Sequence, residues 1–210
     1  VEEDGGGENS ISAKVEDLKD TGYVTPKEMG QNMTANQIYE SGKTIAGELT
    51  KIGINLNLAP VADLASDQNP SYAMRCLGSD ADGVADLLDD FVSGMREGGL
   101  SVTLKTFPGI GNVSADVTES IAENTDSLMT IRDTNFVPYA SGIQAGADCV
   151  MVSNAAYSKL TVKKVPAFMS QDIVTKLLRE ELGFDGIVMT SPLNDNVIEN
   201  NYTNEFAVVE

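Results

Sequence analysis

The chain has 210 residues, 41% hydrophobic and 22% charged, the composition of a globular domain long enough to bury a core and not of a disordered chain. Its 14 basic and 32 acidic residues give a net charge of −18, which speaks against nucleic acid and anionic membrane as partners, because phosphate binding needs a cationic face. It contains no histidine, so Ser/His/Asp triads, His-ligated zinc and imidazole acid–base chemistry are excluded from this chain.

Val1 to Met33 is rich in Gly, Asp and Glu and then irregular, and reads as a strand end before Gly5 running into a long loop. The start at Val1 without a methionine suggests that a leader or a longer N-terminal part has been removed, which favours an extracytoplasmic or cell-surface location. No apolar run approaches the ~20 residues needed to cross a bilayer, so no membrane insertion is expected. Thr34-Ala-Asn-Gln37 can form a capping box, and Ile38, Ile45, Leu49 and Ile52 then recur at helical spacing until Gly53 stops the helix. Ile54 to Leu58 reads as a strand ending at Ala59-Pro60-Val61-Ala62-Asp63. Ser79 is expected to cap a second helix with Val84, Leu87, Leu88, Phe91, Val92 and Met95 on its apolar face, closed by Gly98-Gly99. The β-type run Ser101 to Leu104 then feeds Lys105 into a loop reaching Asp116, whose Pro108, Gly109 and Gly111 suit turn conformations. Apart from Lys105 and Asp116, nothing in that loop can exchange a proton.

Asp126 to Ala147 reads as a third helix interrupted near Pro138. Cys149 to Val152 is a continuous apolar run, as in a strand covered on both faces, with Cys149 a buried thiol rather than half of a disulfide. Ser170 is expected to cap a fourth helix, Gln171 to Leu182, with Gly183 as its stop. Gly186 to Thr190 is the last clear strand, and Asn194 to Glu210 reads as mostly helical. Strand starts at 54, 101, 148 and 186, separated by 47, 47 and 38 residues and alternating with helices, predict βαβ units and a parallel sheet. In such α/β folds function sits at the C-terminal strand ends, which here present Asp63, Lys105, Ser153-Asn154 and Thr190-Ser191. A complete (β/α)8 barrel usually needs ~250 residues. Residues 1–210 therefore read as one α/β domain forming an incomplete or truncated barrel.

At these strand ends the sequence resembles glycoside hydrolase family 3, in particular the N-terminal barrel of its β-N-acetylhexosaminidases. Val1-Glu-Glu-Asp-Gly-Gly6 resembles the family's Val-Asp-Glu-Glu-Gly-Gly, and Gly53-Ile-Asn-Leu-Asn-Leu-Ala-Pro-Val-Ala-Asp63 its Gly-Ile-Asn-x-Asn-x-Ala-Pro-Val-x-Asp. Arg75-Cys-Leu-Gly-Ser-Asp80 is similar to Arg-Ser-Phe-Gly-Ser-Asp, and Leu182-Gly-Phe-Asp-Gly-Ile-Val188 to the strand carrying the nucleophile. The resemblance implies a saccharide ligand and substrate-binding positions at Asp63, Arg75 and Lys105. The residues alone leave open a second reading of these three, as an ionic cluster that stabilises the strand ends. Phe91, Phe107, Phe136 and Phe184, with the methionines, are expected in the core rather than as stacking platforms for sugar.

The departures from the family pattern concern its chemistry. Where the family loop reads Lys-His-Phe-Pro-Gly-His-Gly-Asp-Thr-x-x-Asp-Ser-His, the three histidine positions hold Thr106, Ile110 and Thr118. The last corresponds to the hexosaminidase acid/base, paired with the aspartate that remains as Asp116. The nucleophile motif reads Thr190-Ser191-Pro192-Leu193-Asn194, with Ser191 in place of the aspartate, and Asn154 stands where a histidine is common. A retaining glycosidase needs a carboxylate nucleophile and a proton donor for the leaving oxygen. A serine without a base is a poor nucleophile, and threonine does not titrate near neutrality. The expectation is a domain without hydrolytic activity that keeps a scaffold and a remnant saccharide cleft. The alternatives are a weak or altered hexosaminidase using Asp116 and Asp195, and a scaffold for a protein partner. Asp195 is either a displaced nucleophile or a carboxylate at a helix start, and Asp116 either an acid/base or a turn residue. An acidic side chain beside Ser191, on a floor shared with Arg75 and Lys105, would favour the enzyme. No metal or cofactor is called for.

Overall fold

The structure, a computed structural model, describes residues 1–3, 23–162 and 164–202. Its centre is a parallel sheet of β1 (Leu56–Asn57), β2 (Ser101–Phe107), β4 (Cys149–Val152) and β6 (Ile187–Thr190), in the order β1-β2-β4-β6. Each strand lies beside the next of the set along the chain: Leu56 faces Ser101, Thr103 faces Cys149, and Cys149 in turn faces Ile187. Strand order that follows the chain is the order of a barrel wall, whereas a doubly wound sheet reverses at a switch point. The predicted α/β class and partial barrel stand. Two shorter strands, β3 (Glu123–Asn124) and β5 (Ala156–Tyr157), pair separately and in parallel.

The helices cover the sheet as their apolar spacing requires. In α2 (Ala35–Lys51) the Thr34 capping box forms with Gln37, and Ile38, Ile45 and Leu49 are buried. Ile52, counted on that face from its spacing, instead ends the helix and is exposed. In α4 (Ala81–Glu97) Val84, Leu88, Phe91, Val92 and Met95 turn inward, with Leu87 at the margin. Its cap is Asp80, not Ser79, because the Asp80 carboxylate accepts from the Gly83 amide at 2.9 Å. Helices α2 and α4 touch backbone to backbone, and a Cβ on Gly94 would lie 2.1 Å from the Tyr39 carbonyl oxygen.

Other boundaries also moved. The segment read as irregular contains α1 (Pro26–Asn32), opened by a Thr25/Glu28 capping box, and α3 (Pro70–Ala73) follows β1. The third predicted helix is two, α5 (Leu128–Asp133) and α6 (Phe136–Gln144). The break falls at Thr134-Asn135, and Pro138 sits in the first turn of α6, where its missing amide hydrogen costs little. The fourth is a wide, π-type helix over Asp172–Glu181, and Ser170 accepts from the Ile173 amide at its start. Only Asn196–Glu199 (α7) is helical in the last described stretch, and residues 203–210 lie outside the described residues. So does Gly5. Val1 and Glu3 lie along β1 through bonds from Leu58 N to Val1 O (2.6 Å) and from Glu3 N to Asn57 Oδ1 (2.8 Å), without forming a regular strand.

Phe91, Phe107, Phe136 and Phe184 are core residues, Phe107 stacking on Phe136 and meeting Tyr139 edge-on. Among the methionines, Met29 and Met95 are buried while Met74 and Met129 are exposed. Cys76 and Cys149 are buried and not joined in a disulfide, and burial pushes the Cys149 thiol up from its ordinary pKa. No described helix is long and apolar enough to cross a membrane.

Candidate functional site

The strand ends are joined beneath their surface by one carboxylate. After β1 the chain passes Val61, which bridges to Lys105 on β2, and the Ala62 amide donates to the Lys105 carbonyl at 2.7 Å. That pairing carries Asp63 under the loop that follows β2. Asp63 is fully buried and accepts five hydrogen bonds. Oδ1 takes the Tyr139 hydroxyl (2.8 Å) and the Thr106 amide (3.2 Å). Oδ2 takes the Tyr72 and Thr106 hydroxyls (each 2.9 Å) and the Ile110 amide (3.0 Å). Burial pushes the Asp63 carboxyl up, and the donors, led by the Ile110 amide, pull against it. Burial first, and the Asp63 charge second, hold Tyr72 and Tyr139 far above their usual range, so both phenols stay protonated as donors.

The same loop is fastened by its carbonyls: Pro108 O accepts from Asn135 Nδ2 at 3.1 Å and Gly109 O from the Tyr157 hydroxyl at 2.9 Å. Gly109 has φ +118, a conformation that residues with a Cβ rarely adopt. Lys105 and Arg75 converge on Glu2. Lys105 Nζ lies 2.7 Å from Glu2 Oε1, the Arg75 guanidinium pairs with the same oxygen, and Arg75 also sits over the Tyr72 ring. Burial pulls the Arg75 pKa down from its usual value. Arg75 and Lys105 thus share an ionic cluster, whereas Asp63 belongs to a separate network of neutral donors.

Above Asp63 lies a cavity of about 550 Å³, within the usual range of small-molecule sites, lined among others by Arg75, Asp116, Thr118, Asn154, Ser191 and Asp195. The structure therefore brings five of the seven predicted site residues to one concavity. Asp63 and Lys105 do not line it: Asp63 is sealed below Tyr72, Thr106 and Ile110, which do, and Lys105 is 4% exposed. Ser191 Oγ donates to the Val152 carbonyl at 3.2 Å. Asp116 Oδ1 accepts from the Thr118 amide (2.8 Å) and hydroxyl (2.7 Å), the geometry of an Asx turn. Asp195 does precede a helix, α7, but its side chain makes no capping bond there, and Oδ2 instead accepts from Asn154 Nδ2 at 2.9 Å.

Partial burial raises the Asp195 carboxyl above its ordinary range, the Asn154 donor lowers it, and repulsion from Asp116 and then Glu119 raises it further. Asp116→Asn removes a like charge, so Asp195 is expected to titrate at lower pH in that variant, as read from carboxyl carbon shifts by NMR. An unchanged midpoint would mean that the two carboxylates do not sense each other.

Sequence reasoning missed Tyr72, Tyr139 and Glu2 as partners, and no sequence signal points to them, since Tyr139 lies 76 positions from Asp63. Among the described residues no three His, Cys, Asp or Glu side chains are grouped so as to hold a metal ion.

The sequence profile of the glycosyl hydrolase family 3 N-terminal domain matches residues 11–210. A β-hexosaminidase of Xylella fastidiosa (strain M23) is 34% identical over 155 residues, covering 74% of this chain and 45% of that protein. The chain thus spans about half the length of the curated relatives it matches. A β-N-acetylhexosaminidase structure from Beutenbergia cavernae is 35% identical with a TM-score of 0.77, over 85% of this chain and 54% of that one. The family 3 β-N-acetylglucosaminidase structure from Paenibacillus sp. FPU-7 is 31% identical with a TM-score of 0.81, over 84% of this chain and 34% of that one.

Proposed function

The chain belongs to glycosyl hydrolase family 3, matching its N-terminal domain, and from that premise we propose that this domain holds a saccharide in its cavity without hydrolysing it. One observation carries the reading. At the position of the family's nucleophilic carboxylate stands the Ser191 hydroxyl, which donates to a backbone carbonyl and therefore has no base to take its proton. The acid/base position fails in the same way, because Thr118 is a non-titrating hydroxyl that donates to Asp116. The cavity keeps Arg75, and the relatives that are β-hexosaminidases point to amino-sugar glycosides as the ligand class.

A second reading has its own support. Asp195, Asp116 and Ser191 line one cavity, so a carboxylate does stand in the concavity where the family nucleophile would be. Against it, Asp195 is held by Asn154, and Lys105 is absent from the lining. Incubation with a chromogenic N-acetylglucosaminide, beside calorimetric titration with N-acetylglucosamine oligomers, separates the two. The expected result is saturable binding with release at the buffer rate. Turnover abolished by Asp195→Ala or Asp116→Ala would establish the altered hexosaminidase instead, and absence of both binding and turnover would favour a scaffold for a protein partner.

A further inference from the structure

Tyr72 stands between the buried Asp63 carboxylate and Arg75, and it touches both. It belongs to α3, and it lines the cavity together with Arg75. Its backbone is fixed twice: the Asn69 side chain accepts from the Tyr72 amide at 3.3 Å, and the Tyr72 carbonyl accepts from the Arg75 amide at 2.9 Å. Asn69 is itself held, since its Nδ2 donates to the Val113 carbonyl at 2.9 Å. At the far end of the ring the hydroxyl donates to Asp63 Oδ2 and lies 3.2 Å from Thr106 Oγ1. The ring between these two ends packs against the main core. A ring held in this way keeps a fixed tilt and presents a set face to its surroundings. The Arg75 guanidinium carbon lies 5.8 Å from the ring centroid, within the ~6 Å over which an aromatic face attracts a cation. Glu2 pairs with the same guanidinium through the oxygen that it shares with Lys105. One such contact places an edge of the guanidinium without fixing how the group is turned.

We infer that Tyr72 is a positioning residue for ligand binding, its braced ring holding the Arg75 guanidinium ready in the cavity wall before a saccharide arrives. The inference rests on the saccharide-binding reading above and adds the residue that prepares Arg75 for it. Ordering one long side chain on binding lowers affinity by about threefold to tenfold, and a ring that orders it beforehand removes that loss.

The test joins ¹⁵N NMR of the arginine side chains with calorimetric titration using the β-1,4-linked N-acetylglucosamine trimer. In the parent, the Arg75 Hε signal should lie upfield of those of Arg96 and Arg132, because Arg75 sits over a ring. Tyr72→Leu should lower the Arg75 Nε heteronuclear NOE and weaken trimer binding by about threefold to tenfold. Tyr72→Phe loses its bond to Asp63 and should melt at a lower temperature, yet keep the NOE and bind within about twofold of the parent, since the ring remains. A purely structural role would instead make affinity follow melting temperature in both variants. In an Arg75→Ala background Tyr72→Leu should change affinity by less than about twofold, there being no guanidinium left to hold. An unshifted Arg75 Hε in the parent overturns the inference whether or not any variant folds. So does an equal loss of affinity in both backgrounds, or an Arg75 NOE and affinity unchanged in Tyr72→Leu, and each of these leaves the saccharide reading standing. A parent protein that does not bind the trimer would defeat both readings together.

Discussion

Ser191→Asp combined with Thr118→His is expected to raise release from a chromogenic N-acetylglucosaminide by about 10³-fold or more over the unmodified domain. Both positions line the same cavity, and Asp116 already accepts from residue 118, so an imidazole there would find its orienting carboxylate in place. The carboxylate introduced at position 191 would restore a group that can bond covalently to the anomeric carbon, and the imidazole at position 118 one that can protonate the leaving oxygen. Each single variant should gain far less, because a nucleophile without an acid, or the reverse, leaves one half of the displacement unassisted. A folded double variant that binds saccharide yet shows no gain would mean that these two side chains do not limit hydrolysis.

Asp63→Ala is expected to cost about 4 kcal/mol or more of stability, enough to lower the melting temperature by roughly 10 °C or to prevent folding. The substitution strands the Tyr72, Tyr139 and Thr106 hydroxyls and the Thr106 and Ile110 amides around a void with no acceptor. Tyr139→Phe, which removes a single donor, should cost only about 1 kcal/mol. The pH dependence has a definite sign. Because the folded-state pKa of Asp63 is raised, its ionisation opposes folding, and its favourable contribution is lost as pH rises through that pKa. Denaturant titrations of the three proteins, followed by circular dichroism, measure these differences. An Asp63→Ala domain as stable as the parent would show that the five hydrogen bonds contribute nothing net.

The parts of this architecture legible in the sequence are those governed by local chemistry. Thr34 and Gln37 announce the start of α2 because a capping box is complete within four residues, and Gly53, at φ +85, marks its end. The Ser79-Asp80 ambiguity shows the limit of that reasoning, since both residue types cap helices and only the reach of the Asp80 carboxylate to Gly83 decides. Strands β3 and β5 could not be read, because two residues contain no period and their pairing joins positions 33 apart. The placement of Asp63 was lost for a related reason. Its position after Ala59-Pro60 fixes it at a strand end, but whether the side chain turns to the cavity or beneath it depends on Tyr72, nine residues on, and on Tyr139, 76 positions away. That residues 118 and 191 carry hydroxyls was legible, since it concerns residue identity rather than direction.

The bonds that hold the Asp63 carboxylate and those made by residues 116, 118, 154, 191 and 195 use different oxygens and different donors, so the two sets can diverge independently. Rewriting residues 116, 118, 154, 191 or 195 alters what enters the bowl without touching the rivet that closes its underside. A protein arranged in this way can change what its cavity admits and keep its shape, so that specificity can be rewritten there one side chain at a time.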